Sequence, residues 1–143
     1  MKNNTKIPTY FWRLSVFFLL WNIMGVASFF MHIFISEASL ASLPVEEQEL
    51  YNSYPMWTNV AFGFAVLGGF IGSIGLLRKR KWAKMAFIIS LGAIVPQMIH
   101  NVFLTNSMEV YGSEAVVMPL LVVVFGVFLV WFSGFCIRKH WLK

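Results

Sequence analysis

The apolar stretches of this chain carry a small set of hydrogen-bonding side chains at helical spacing. Asn22, Gly25, Ser28, His32 and Ser36 fall on roughly one face of the first stretch. Ser90, Gln97, His100, Asn101 and Thr105 make a second polar stripe in the third, and Asn59 lies near the outer end of the second. Polar groups inside an apolar span are costly and are functional candidates by default. Amides, hydroxyls and imidazoles without a carboxylate suit reversible hydrogen bonding, to a hydroxylated solute or to a neighbouring helix. Bonds between helices would be structural glue, worth about 1 kcal/mol each. In an antiparallel bundle the two stripes can instead face each other across a cavity open to the outside. Both roles stand at this point, and Asn22, Asn59, Gln97, His100 and Asn101 are the candidate substrate-binding residues.

Pro96 precedes Gln97 and removes the hydrogen bond to the Gly92 carbonyl, which predicts a kink or hinge. His32 and His100, on different spans, are a pair that could clamp a haem or titrate as a pH switch, although most such histidines are simply hydrogen-bonded. The sequence has no zinc-type spacing, nucleophile elbow, P-loop or paired intramembrane carboxylate. No enzyme activity, cofactor or metal is therefore expected. A single cysteine, Cys136, allows no internal disulfide and no cysteine metal site.

The elements that must position these residues follow from composition. Of 143 residues 59% are hydrophobic and 12% charged, about half the charged share of a soluble domain. The expected fold is an all-α integral membrane protein, one domain over 1–143. Four transmembrane helices are expected over about 12–35, 58–77, 82–104 and 116–137, packed as an antiparallel bundle. Arg78, Lys79, Arg80, Lys81 and Lys84 cluster between two spans, which marks that turn as cytoplasmic. All eleven basic residues then fall inside and all six acidic ones outside, with both termini cytoplasmic. The net charge of +5 reads as a topology signal and an attraction to anionic lipid headgroups, not as nucleic-acid binding. Lys2, Lys6 and Arg13 precede a run too long for a cleaved signal peptide, despite the small residues Val26-Ala27-Ser28, so an uncleaved signal anchor is expected.

Between the first two spans, Pro44 to Tyr51 predicts a short helix with acids in its first turn. Leu43, Leu50, Tyr51 and Tyr54 share one face of it, which would lie on the outer membrane surface or cap the bundle. Ala61, Ala65, Gly68, Gly72 and Gly75 form a row of small residues on the second span, with Gly68 and Gly72 as a GxxxG pair for helix packing within or between copies. The endings Ile33-Phe34-Ile35-Ser36 and Val102-Phe103-Leu104-Thr105 are alike and suggest a duplicated hairpin.

Trp21-Asn22 with Gly25, Leu43-Pro44, Leu50-Tyr51, Pro55 with Trp57, and Ala61-Phe62 form one set of scattered positions. Gly68-Gly69 with Gly72, Lys81-Trp82-Ala83, Ser90-Leu91, Gln97, Met118-Pro119, and Leu129 with Trp131 continue it. On these positions the chain resembles small four-span bacterial membrane proteins often labelled "sugar transporter". The resemblance implies a bacterial inner-membrane protein, and its transport label is generic as to substrate. The expected function is small-solute transport, with sugars among the solutes. The other expectation is a non-transporting accessory or scaffold subunit docked through the glycine row and the acidic outer loop. Since four helices enclose a narrow interior, a homo-oligomer is expected.

Overall fold

The computed structural model describes residues 6–105 and 107–143; Lys2 and the side chain of Glu114 lie outside what is described. The helices are α1 (Thr9–Ile33), α2 (Glu37–Ala41), α3 (Val45–Ser53), α4 (Met56–Leu77), α5 (Trp82–Ile99), α6 (Ser107–Tyr111) and α7 (Glu114–Arg138). A π-turn, His100–Leu104, extends α5. Among the described residues four segments are long and apolar enough to cross a membrane: Thr9–Ile33, Met56–Leu77, Trp82–Leu104 and Val116–Arg138. The first starts three residues before its expected limit and ends two before it.

Prolines set several of these starts. Pro8, Pro44 and Pro55 occupy the N-cap positions of α1, α3 and α4, where a missing N–H costs no helical bond. Glu46 and Glu47 follow Pro44 in the first turn of α3 and favour its dipole. The short helix expected there runs from Val45 to Ser53. Two further helices were not foreseen. Ser36 caps α2 by accepting the Ser39 N–H, and α6 occupies the loop before α7. Pro96 lies inside α5, which widens into the π-turn from His100.

Two ends are built alike. Lys79 (φ 57°) and His140 (φ 60°) are left-handed residues just beyond α4 and α7. In each case the next N–H reaches back five residues, Arg80 to the Gly75 carbonyl and Trp141 to that of Cys136. These are Schellman closures. They bring the chain after α7 against the turn after α4, where the Lys143 N–H donates to the Lys79 carbonyl at 2.7 Å and the Lys81 N–H to the Lys143 carbonyl at 3.0 Å. Trp141 also meets the rings of Tyr10 and Phe11 on α1, each at 5.9 Å. The start of α1, the basic turn and the residues after α7 thus share one end of the protein.

The backbones approach one another in the order α1–α4–α5–α7. Glycines allow the closest of these approaches. A Cβ on Gly72 would stand 2.7 Å from the Phe87 ring, one on Gly75 2.7 Å from Trp82, and one on Gly68 3.1 Å from the Ser90 Cβ. The small-residue row of α4 is therefore filled by α5 of the same chain. α7 meets α1 mainly through large rings, as in Phe18–Phe125 (5.4 Å), Trp21–Phe125 (4.8 Å) and Phe11–Phe132 (6.1 Å). Phe11, Phe18, Leu76, Phe87, Phe132 and Trp141 belong to one packed core at the basic end. The other half of the bundle is hollow.

Candidate functional site

The hollow half holds a cavity of about 440 Å³ bounded by α1, α4, α5 and α7, with α3 and α6 at its far end. Leu50 is buried, and Leu50, Tyr51 and Tyr54 reach the cavity from the first loop. Of the two placements open to that apolar face, the structure has it closing the bundle end.

Four of the five candidate binding residues, Asn22, Asn59, Gln97 and Asn101, line this cavity. Their hydrogen-bonding states differ. Asn22 donates from Nδ2 to the Phe18 carbonyl at 2.7 Å and to the Ser73 Oγ at 3.0 Å, so its donors are spent tying α1 to itself and to α4. Its Oδ1 lies against Gly69, in the space a Cβ there would take. Asn59 Oδ1 is 3.2 Å from His32 Nε2, a second tie between α1 and α4. Ser90 donates to the Ala65 carbonyl at 2.6 Å and ties α5 to α4. These three act as interhelical glue while also facing the cavity.

Gln97 is different. It is 7% exposed, lines the wall, and its Oε1 has no hydrogen-bond partner among the described residues. Buried polar atoms are almost always satisfied, so Gln97 is a lining residue whose hydrogen-bonding capacity is unspent. Asn101 stands one turn further along the same face of this segment. Its backbone carbonyl accepts the hydroxyls of Thr105 and Ser107, which closes the π-turn.

His100 does not line the cavity. It sits edge-on to Trp57 with ring centroids 5.0 Å apart, while His32 packs on Tyr51 at 4.7 Å. The two histidines thus have different aromatic neighbours. Pro96, Gly68 and Gly72 also lie off the cavity wall, whereas Gly25 and Gly69 lie on it. His32, Ser28, Tyr51, Tyr54, Thr58 and Tyr111 add to the polar lining. The sequence offered a signal for His32 and Ser28 through their stripe with Asn22. For Tyr111, a single aromatic in a loop, it offered none.

The three tyrosines form an electrostatic unit at the loop end. Burial raises the Tyr54 phenol above its ordinary value, with Tyr111 and Tyr51 adding to the effect. Burial also raises Tyr51 and Tyr111, each further opposed by the negative charge of Glu47. A phenol titrates near 10.0 in the unfolded chain, and the folded protein keeps its proton to higher pH. The stability this contributes is complete below pH 10.0 and is lost as pH climbs through the folded value. Melting temperature is therefore expected to fall above that pH, and to fall less in Tyr54→Phe. An equal alkaline loss in the variant would remove Tyr54 from the effect.

Comparison with models of protein families, with curated proteins and with solved structures finds no match.

Proposed function

We propose that this chain is a multi-pass protein of the bacterial inner membrane that binds a small solute in the bundle cavity and moves it across the bilayer. The observation that carries this reading is the cavity wall at Gln97, where a buried amide oxygen is left without a partner. A volume of about 440 Å³ falls in the range of small-molecule sites, which are mostly apolar with a few placed polar groups. The pairings Asn22–Ser73 and His32–Asn59 suit an antiparallel α1 and α4. The shared basic end suits cytoplasmic termini under the positive-inside rule. The resemblance to four-span proteins labelled as sugar transporters supports the same reading, and a homo-oligomer would complete a path through so narrow a bundle. The accessory-subunit reading loses its main support, because α5 covers the glycine row through which such a subunit would dock.

A thermal-shift screen of the purified protein tests this reading with sugars, polyols, amino acids and alcohols. A ligand at a hundred times its dissociation constant adds about 2.7 kcal/mol. Gln97→Leu is expected to abolish that shift while the ligand-free protein melts at the same or a higher temperature. The variant swaps a buried, unpaired amide for an apolar side chain of similar size. A shift retained in full by Gln97→Leu would take this residue out of the site.

A further inference from the structure

We infer that the ligand is an amphiphile with a single hydroxyl-type head, which enters sideways from the bilayer between α1 and α7 and seats its head on Gln97. This rests on the reading of the cavity as a ligand site and names the class of ligand and its route.

The route follows from how the bundle closes. Ring contacts between α1 and α7 extend from Phe11–Phe132 to Trp21–Phe125. Beyond Trp21 the α1 rings turn toward other elements, Phe29 to Phe62 on α4 and His32 to Tyr51 on α3. That is the half of the bundle that holds the cavity. Met24 on α1 and Met118 on α7 both line the cavity and are also 64% and 57% exposed on the outside of the protein. A residue that faces both the cavity and the exterior marks an opening. Here the opening lies within the membrane-crossing segments, so its exterior is acyl chain. Methionine suits such a gap, being unbranched and adaptable to varied apolar shapes.

The ligand class follows from the wall. Val66, Phe87, Ile94, Val122, Phe125 and Leu129 offer no hydrogen bonds. A sugar carries hydroxyls on all sides, and those facing these groups would be buried unpaired, at a cost. An apolar body loses nothing there. The head is read by carboxamides, of Gln97 and, one turn on, of Asn101. The terminal torsion of glutamine is soft and roughly two-fold, so its oxygen or its NH2 can be turned to a guest. A hydroxyl, both donor and acceptor, meets either orientation.

The test uses the full chain in lipid nanodiscs and a medium-chain n-alkanol bearing a diazirine. Its controls are the matching diazirine alkane without the hydroxyl, and glucose. Photolabelling by the alkanol is expected in α1 and α7 peptides around Met24 and Val122, competed by unlabelled alkanol. It is expected to fall about five- to tenfold in Gln97→Leu, the scale of one hydrogen bond. Met24→Trp changes an exposed seam residue without repacking the core, and is expected to slow labelling while leaving the melting temperature unchanged. Equal saturable labelling by alkane and alkanol, or labelling indifferent to Gln97→Leu, overturns the assigned head site. Labelling as fast in Met24→Trp as in the parent overturns the lateral route. Saturable binding of glucose without binding of the alkanol overturns the ligand class but leaves the solute-binding reading intact. If neither probe binds the folded protein, the assigned ligand class falls, and the thermal-shift screen decides the small-solute reading.

Discussion

Trp141→Ala is expected to destabilise the protein by about 3–5 kcal/mol, the usual cost of emptying a large aromatic from a packed site. Trp141 is 7% exposed, although it lies beyond the last helix. Its ring meets Tyr10 and Phe11 of α1 and Phe135 of α7. It follows the left-handed residue that turns the chain back, and its own N–H makes the closing bond to Cys136. Truncation therefore opens a cavity at the junction of three segments and weakens the pairing of Lys143 with the turn at 79–81. Trp131→Ala is the control, because that indole is 55% exposed and fills no core site. Thermal melts in one detergent should separate the two variants clearly. If Trp141→Ala melts no lower than Trp131→Ala, the residues after α7 are not part of the cooperative fold. Binding at the cavity should survive in whatever fraction remains folded, since the damage lies in the other half of the bundle.

The second large effect is a contrast between two glycines. Gly69→Ala drives a methyl group into the Asn22 Oδ1, so the carboxamide must move. Moving it breaks the bonds to Phe18 and Ser73 and strands buried polar groups, at about 1–3 kcal/mol. Gly92→Ala meets nothing within 4 Å and lies inside a helix. There alanine is expected to stabilise by up to about 1 kcal/mol, as the better helix former with less freedom to lose. The two melting temperatures should therefore move in opposite directions from the parent. A Gly69→Ala protein as stable as Gly92→Ala would show that Asn22 is not held as described.

Much of the architecture was legible in the residues because span length and charge are strong, additive signals. The breaks at Pro55 and at Arg78–Lys81 set two of the four helices almost to the residue. α2 and α6 were missed because five-residue helices have no period to read, only a cap such as Ser36. The residues after α7 were missed for another reason. Nothing local in Arg138-Lys139-His140-Trp141 announces a left-handed residue at His140, since glycine is the usual sign and is absent. At the site, helical spacing selected Asn22, Gln97 and Asn101 correctly as sharing an interior. His100, on the neighbouring position, lies off the cavity wall against Trp57. Periodicity could not tell spent amides from an unspent one. That distinction depends on Ser73 and His32 arriving from other segments, and no spacing along one helix encodes it.

The paired Schellman ends also bear on the charge at that end of the protein. α4 and α7 both terminate among Arg78, Lys79, Arg80, Lys81, Arg138, Lys139 and Lys143. A helix C-terminus carries about half a negative elementary charge, so two of them together answer about one of these cations from the backbone alone. The basic end is thus a partly neutralised counter-field to two macrodipoles. Its pull on an anionic surface should be weaker than a count of lysines and arginines implies, while its hold on the helix ends persists when no such surface is near.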